Sequence, residues 1–308
     1  MMVDFDKIWV EKYRPHKLDD LILDDKSLRV VKQFEDEIPN LLFVGSPGTG
    51  KTTLARIIVN DILGCNFLYI NASDESGIDV IRHNITNFAQ TKSFDGGIKV
   101  VILDEADGLT PQAQAALRNT METYAKYCRF VLTANYKHKI IPALQSRCQS
   151  LDIKPVVDQA AKRCFNILRL ENVKVSEDQK KKFVILVKKH FPDLRKTINE
   201  IQKSIVDGEL CIDSNASDNE LLAKVMQGVR TNSLGLRKYL IENEDRFQGD
   251  YDTLLANFLD FLYEQDLPDM KKKEMIVIIA DHLYKSAFVV DKEINAFACL
   301  VSLEKAIT

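Results

Sequence analysis

The sequence predicts an α/β domain followed by two all-helical regions, and three observations carry the prediction. Five short apolar runs recur through the first half of the chain: LLFV from 41, FLYI from 67, VVIL from 100, RFVLT from 129 and SLDI from 150. Segments of helical period lie between them. After Pro155 the runs stop and amphipathic helical patterns take over. Strands of a parallel sheet read as unbroken apolar runs because helices cover both faces. The run starts lie roughly 20 to 30 residues apart, which leaves room for a crossover helix in every connection except the last.

Each element has its own signal. Ile78, Ile81, Ile85, Phe88 and Ala89 fall on one helical face, and AQAALRNTMETY repeats that spacing after Pro111. A helix opens at Ser176 with Gln179 three residues on, the pattern of a capping box. DGELCIDSNASDNE, 207 to 220, is rich in turn residues and separates a small helical unit from a final helical stretch. The expected divisions are 1–154, 155–214 and 215–308. The lysine runs at 180–182 and 271–273 read as solvated helix faces.

Composition bounds the function classes. The 308 residues are enough for two or three domains, and 45% hydrophobic with 28% charged residues is the balance of an ordinary globular protein. A net charge of −3 and a pI near 6.0 do not mark a polyanion binder, so any such site is a local patch. Six cysteines without a C-x-x-C pair argue against a zinc ribbon or a disulfide framework and predict reduced, mostly buried thiols. MMVDFDKIWVEKYRP is too polar for a signal peptide, and no apolar run approaches the ~18 residues of a membrane span. A cytosolic protein is the expectation.

The chemistry begins at GSPGTGKT, 45 to 52, which follows the first apolar run and leads into TLARIIVNDIL. A glycine-rich loop between a strand and a helix lets successive N–H groups point at a triphosphate, with the positive end of the helix behind them. Gly48, Thr49, Gly50, Lys51, Thr52 and Thr53 form that phosphate-facing part. Lys51 is placed for the β and γ phosphates and the Thr52 hydroxyl for magnesium. KVVILDEAD, 99 to 107, is a buried strand ending in acids. Asp104 suits the magnesium shell, and Glu105 suits activation of the attacking water. RFVLTANY brings Thr133 and Asn135 to a strand's carboxyl end, where open α/β sheets bind ligands.

With these motifs in order, the chain resembles the ATPase subunits of sliding-clamp loaders, the AAA+ group that includes the small subunits of replication factor C. The resemblance rests on WVEKYRP (9–15), GSPGTGKTT (45–53), NASDESGIDVIR (71–82), VVILDEAD (100–107), AQAALRNTME (113–122), LTANY (132–136), SRC (146–148) and FPDLRKTIN (191–199). TNFAQTKSFDGGIKVVILDEAD and LVKKHFPDLRKTINE look most like the large subunit of the loader of T-even-type tailed phages. The resemblance implies an AAA+ core with a five-stranded parallel sheet, a helical lid and an all-α collar that holds subunits together. It implies that Val10, Glu11, Lys12, Tyr13 and Ile22 wrap the adenine end of ATP and that Asn135 and Arg195 are the two sensors. Gln114 would couple neighbouring subunits, and Arg147 would be an arginine finger acting on the ATP of the adjacent subunit. ALQSRCQS, 143 to 150, offers Arg147 no carboxylate of its own, and a guanidinium suits the spread charge of phosphoryl transfer.

Further expectations follow from the same resemblance. The partners are other loader subunits in a five-membered ring, four such chains and one different subunit in phage loaders, with the sliding clamp and primer-template DNA. The cofactors are ATP and magnesium, and the place is the cytoplasm, that of an infected bacterial host if the chain is phage-encoded. DNA would be held by its phosphates and shape. Arg82 is the first candidate contact, followed by Thr91 and Lys92, while Arg82 reads equally as an ion-pair partner of Asp79 or Glu75. Ile85, Phe88 and Phe94 are candidates for an apolar clamp contact; Ile85 reads as core, and Phe94 stays open. Two rival readings remain. A branch-migration type of DNA-translocating AAA+ motor would need a winged-helix domain, which calls for a strand-rich hairpin in the tail. A non-hydrolysing scaffold is disfavoured by intact Glu105, Asn135 and Arg147.

Overall fold

The computed structural model describes residues 8–35, 38–74, 77, 79, 81–91, 97–212, 216–231, 233–247 and 249–307. The chain forms two compact units, 1–212 and 213–308.

The first unit is built on five parallel strands, β1 (Leu41–Val44), β2 (Phe67–Asn71), β3 (Lys99–Asp104), β4 (Cys128–Ala134) and β5 (Gln149–Asp152). Their order in the sheet is β2-β3-β4-β1-β5, with Val44 beside Ala134, Leu103 beside Leu132 and Asn71 beside Asp104. Side chains alternate between two cores. Leu42, Val101, Leu103, Phe130 and Leu132 face one, and Leu41, Phe43, Val100, Ile102 and Val131 face the other. Burial on both faces explains why the central strands read as continuous apolar runs.

Short α1 (Trp9–Lys12) and α2 (Asp25–Lys32) precede the sheet; α3 (Lys51–Ile57) follows β1 and continues as a π-helical turn, Ile58–Ile62. Next come α4 (Thr86–Gln90) and α5 (Pro111–Thr123), the latter capped by Thr110, whose Oγ accepts from Ala113 N at 3.2 Å. The last connection, expected to lack a helix, holds a one-turn α6 (Pro142–Gln145). Ile85 and Ala89 are buried, as the helical face predicts; Ile78, Glu75, Lys92 and Phe94 lie outside the described residues.

Helices α7 (Val157–Leu170), α8 (Glu177–His190) and α9 (Leu194–Lys203) form the helical region after Pro155. Ser176 caps α8, accepting from Gln179 N, but the Gln179 carboxamide accepts from Ile212 N at 2.9 Å instead of completing the box. Two strands absent from the sequence reading follow, β6 (Ile205–Val206) and β7 (Glu209–Leu210). Asp207 and Gly208, with φ of 49° and 78°, join them through a turn that needs two left-handed residues. Lys180 and Lys182 pair with Glu177 and Asp178 along the exposed face of α8.

The second unit consists, among its described residues, of helices only: α10 (Ala216–Thr231), α11 (Ser233–Glu242), a 3₁₀ turn (Glu244–Phe247), α12 (Tyr251–Glu264), α13 (Asp269–Ser286) and α14 (Lys292–Ile307). Phe258, Ile279, Cys299 and Leu303 are at its centre. On α13, Met270, Val277 and Tyr284 recur every seven residues and remain 75%, 68% and 71% exposed, with Phe288 just beyond. No helix among the described residues is long and apolar enough to cross a membrane. Five thiols are pushed up by burial, Cys65 among them, with Cys128 at about 11 and Cys148, Cys164 and Cys299 at about 12, as expected of inert reduced cysteines.

Candidate functional site: a nucleotide cleft and a separate arginine

The carboxyl ends of β1, β3 and β4 converge on one cleft, because the strand order sets β1 beside β4 and β4 beside β3. Val10, Tyr13, Ile22, Gly48, Gly50, Lys51, Thr52, Thr53, Asp104, Glu105, Asn135 and Arg195 all line it. Of the predicted base-enclosing residues, Glu11 and Lys12 do not. Their side chains are taken up in ion pairs, Glu11 with Arg14 at 2.9 Å and Lys12 with Glu171 at 2.6 Å. Thr49 is buried in the loop, its hydroxyl donating to Ser46 O at 2.9 Å.

The loop is set for an anion. Gly50 adopts φ 93° as it hands the chain to α3, and Gly48 adopts φ 73° where a Cβ would lie 1.9 Å from Asp193 Oδ1. Both positions need glycine. Lys51 is 8% exposed and donates to Gly45 O (2.9 Å), Ser46 O (2.8 Å) and Asn135 Oδ1 (2.8 Å). Those three neutral oxygens use all three ammonium donors and leave the charge uncompensated. Burial lowers the Lys51 pKa, opposed by the more distant Asp104, Asp107 and Glu105.

Asp104 ends β3 at the centre of a hydroxyl network. It accepts from Thr52 Oγ1 (2.7 Å), Thr133 Oγ1 (2.6 Å) and Tyr69 OH (2.8 Å). Thr52 and Asp104 form a pair of hard oxygen donors, a set that fits magnesium held by one or two side chains together with phosphates. Glu105 takes φ 54°, ψ 43°, a left-handed conformation uncommon outside glycine, asparagine and aspartate. Its amide donates to Thr133 Oγ1 at 3.0 Å, and its carboxylate accepts from the Ser73 hydroxyl. Asp107 accepts from the amides of Asn135 (3.3 Å) and Tyr136 (3.2 Å), which fixes the turn carrying Asn135.

Several residues of this site were not singled out from sequence. Ser73 lies within NASDESGIDVIR and Asp107 ends KVVILDEAD, yet the sequence reading gives no role to either of them or to Tyr69. Arg163 of α7 also lines the cleft, and its guanidinium donates to Tyr13 O at 3.0 Å and to Asp20 O. Trp9 packs with Cys164, Ile167, Phe183 and Ile201, so the segment Trp9–Lys12 belongs physically to the helical region after Pro155.

Arg147 is absent from the cleft's lining. It is 36% exposed and, against its isolation in ALQSRCQS, pairs with Glu122 of α5, 25 residues away, which local sequence could not foretell. Gln114, at the start of α5, is buried; it donates to Leu109 O (3.2 Å) and Lys139 O (3.0 Å) and accepts from Ile141 N (2.8 Å). The Thr91 hydroxyl donates to Phe88 O (2.9 Å) and accepts from Lys99 Nζ (2.7 Å), closing the end of α4. The side chain of Arg82 lies outside the described residues.

Comparison with known proteins agrees with this geometry. The family described as ATPases associated with various cellular activities matches residues 41–155, and the sliding-clamp-loader large subunit AAA+ lid domain matches residues 152–214. The replication factor C small subunit of Archaeoglobus fulgidus is 38% identical over 289 residues, 88% of either chain. That of Sulfurisphaera tokodaii is 36% identical over 327 aligned positions, 98% of this chain and 97% of the relative. Replication factor C subunit 3 of Saccharomyces cerevisiae is 43% identical over 202 residues, 63% of this chain and 58% of its own. In structure, a point mutant of Thermotoga maritima RuvB superposes with a TM-score of 0.54 at 18% identity, over 75% of this chain and 85% of that one, a likeness of fold alone. An AAA+ nucleotide cleft, a clamp-loader lid and near full-length likeness to these subunits together establish that the chain belongs to the replication factor C small-subunit family of sliding-clamp-loader ATPases.

Proposed function

We propose that this ATPase subunit contributes half of each active site it takes part in. It binds ATP in its own cleft and lends Arg147 to the ATP of the next subunit, within a ring that opens a sliding clamp and loads it on primer-template DNA. The observation that carries this reading is the separation of Arg147 from the cleft lined by Lys51, Asp104, Glu105 and Asn135.

In this reading the loop amides and Lys51 hold the β and γ phosphates, while Val10, Tyr13 and Ile22 enclose the base. Thr52 and Asp104 would hold magnesium, which neutralises charge on the phosphate oxygens during transfer. Glu105 orients and deprotonates the attacking water, and Asn135 positions it against the γ phosphate. Arg195 reaches the phosphates from the start of α9. Its charge is close enough to bear on Lys51, which supports the assignment. Gln114 ties the loop after the acidic motif to the segment before Arg147, a route by which one subunit's site senses its neighbour.

Residues 215–308 act as the collar. The exposed Met270, Val277 and Tyr284 stripe supports this, since a stripe at that spacing suits burial against another helix. Four copies with one different subunit, and residence in a phage-infected bacterial cytoplasm, remain part of the proposal. DNA contacts are assigned to Arg82, Thr91 and Lys92. The helical second unit favours a loader over a branch-migration motor, whose extra domain would need strands.

The test is the ATPase rate of the assembled loader with clamp and primer-template added singly and together. The loader reading expects the highest rate with both. Stimulation by DNA with no effect of the clamp would refute it, and absence of turnover in the full assembly would support a scaffold instead.

A further inference from the structure

We infer that Glu122 is the positioning residue of the finger: it fixes the Arg147 guanidinium so that its outer edge faces away from the chain before any neighbour arrives. The inference rests on the reading of Arg147 as a trans-acting finger and adds to it the residue that aims it.

The backbone beneath Arg147 is rigid. Its amide donates to Leu144 O at 3.0 Å, and Leu144 and Cys148 on either side pack into the core beside the sheet. The side chain is then fastened twice. Nε donates to Glu122 Oε1 at 2.7 Å and Nη2 to the same oxygen, while Nη1 donates to Ala143 O at 2.8 Å. A guanidinium carries five N–H groups, one on Nε and two on each terminal nitrogen. Three are used, so one remains on each of Nη1 and Nη2. Those two form the outer edge of the fork, the pair suited to two oxygens of a phosphoryl group.

Glu122 has no other evident purpose. It sits in the last turn of α5, where its charge meets the negative end of the helix, an unfavourable place for a carboxylate. Among the described residues its recorded partner is Arg147. Gln114, two turns earlier on α5, anchors residues 139 to 141. One helix therefore holds both the entry to the finger segment and its tip. A carboxylate that withheld the finger would have to cover its outer edge, and this one leaves that edge open. The pair is also exposed, at 36% and 52%, and an exposed pair is weak, so it yields readily when a phosphoryl group competes for the guanidinium.

The test uses the full loader with clamp and primer-template, measuring single-turnover hydrolysis and binding of a fluorescent ATP analogue. Glu122→Ala should lower turnover about ten- to a hundredfold, the scale of a misplaced catalytic group, with nucleotide affinity unchanged. Glu122→Gln keeps an acceptor oxygen and should retain part of the rate. In an Arg147→Ala background, Glu122→Ala should add nothing, and in mixed rings the defect should follow the subunit that donates the finger. Unchanged or faster turnover of Glu122→Ala, or an equal further loss without Arg147, overturns the inference. If Arg147→Ala alone leaves turnover intact, the finger reading has failed and this inference falls with it.

Discussion

Lys51 and Arg147 are both cations assigned to phosphoryl groups, Lys51 to the chain's own ATP and Arg147 to its neighbour's, and the chain holds them in opposite ways. Lys51 is 8% exposed and rests on three neutral oxygens. Arg147 is 36% exposed, paired with a carboxylate and outside the cleft. A desolvated, uncompensated charge is costly until an anion arrives, so Lys51 is arranged to strengthen binding of the chain's own ATP. A solvated, paired guanidinium costs little in the free chain and keeps its outer donors for a partner. On this account the first cation governs affinity and the second governs rate.

The largest expected break in that comparison is Arg147→Ala, which should lower turnover of the assembled ring by about 10³ to 10⁵. ATP affinity, read by equilibrium binding to the same assembly, should not move. Lys51→Ala should do the reverse at the binding step, removing about 2 to 5 kcal/mol of ATP affinity, as loss of one partner of a buried charge pair does. Titration calorimetry on the single chain would read it, and unchanged affinity would contradict the role drawn from its burial.

Gly48→Ala tests the loop that presents Lys51. A Cβ at φ 73° costs about 1 to 2 kcal/mol, and its approach to Asp193 Oδ1 forces the start of α9 aside. A lower melting temperature with weaker nucleotide binding is expected, whereas Gly64→Ala, at φ 54° with nothing within 4 Å, should melt lower but bind normally.

The smallest effect is a pH dependence. Burial holds the Lys51 pKa below 10.5 in the free chain, and a bound triphosphate favours the charged form. ATP affinity should therefore be full below the lowered pKa and decline as pH rises through it. The sign for stability is opposite: the folded chain binds this proton less tightly than the unfolded one, so the penalty is complete at neutral pH and relaxes toward pH 10.5. Lys51→Arg should flatten the binding profile, because a guanidinium keeps its proton.

What was legible in the sequence was what is local. Strands buried on both faces appear as apolar runs, and the phosphate loop and acidic strand end are contiguous motifs, so the sequence alone brings Lys51, Thr52, Asp104 and Asn135 together. The family resemblance rested on such motifs too. The unread parts are pairings across distance. Glu122 lies 25 residues from Arg147, and Tyr69 is 35 residues from Asp104. Trp9 joins a core built from residues 164 to 212. Nothing in WVEKYRP says which surface its tryptophan meets. The Asp207-Gly208 turn was legible by chemistry, but strands of two residues leave no alternation to read.

The central claim is that Arg147 completes a neighbour's site, and mixed rings test it most directly. Rings made only of Arg147→Ala or only of Glu105→Gln chains should both be nearly inactive with clamp and primer-template. Mixing the two supplies interfaces that join an intact Glu105 to an intact Arg147 from the next chain. Recovery of ATPase activity well above either parent is the predicted result; mixtures no more active than their parents would contradict a trans-acting Arg147.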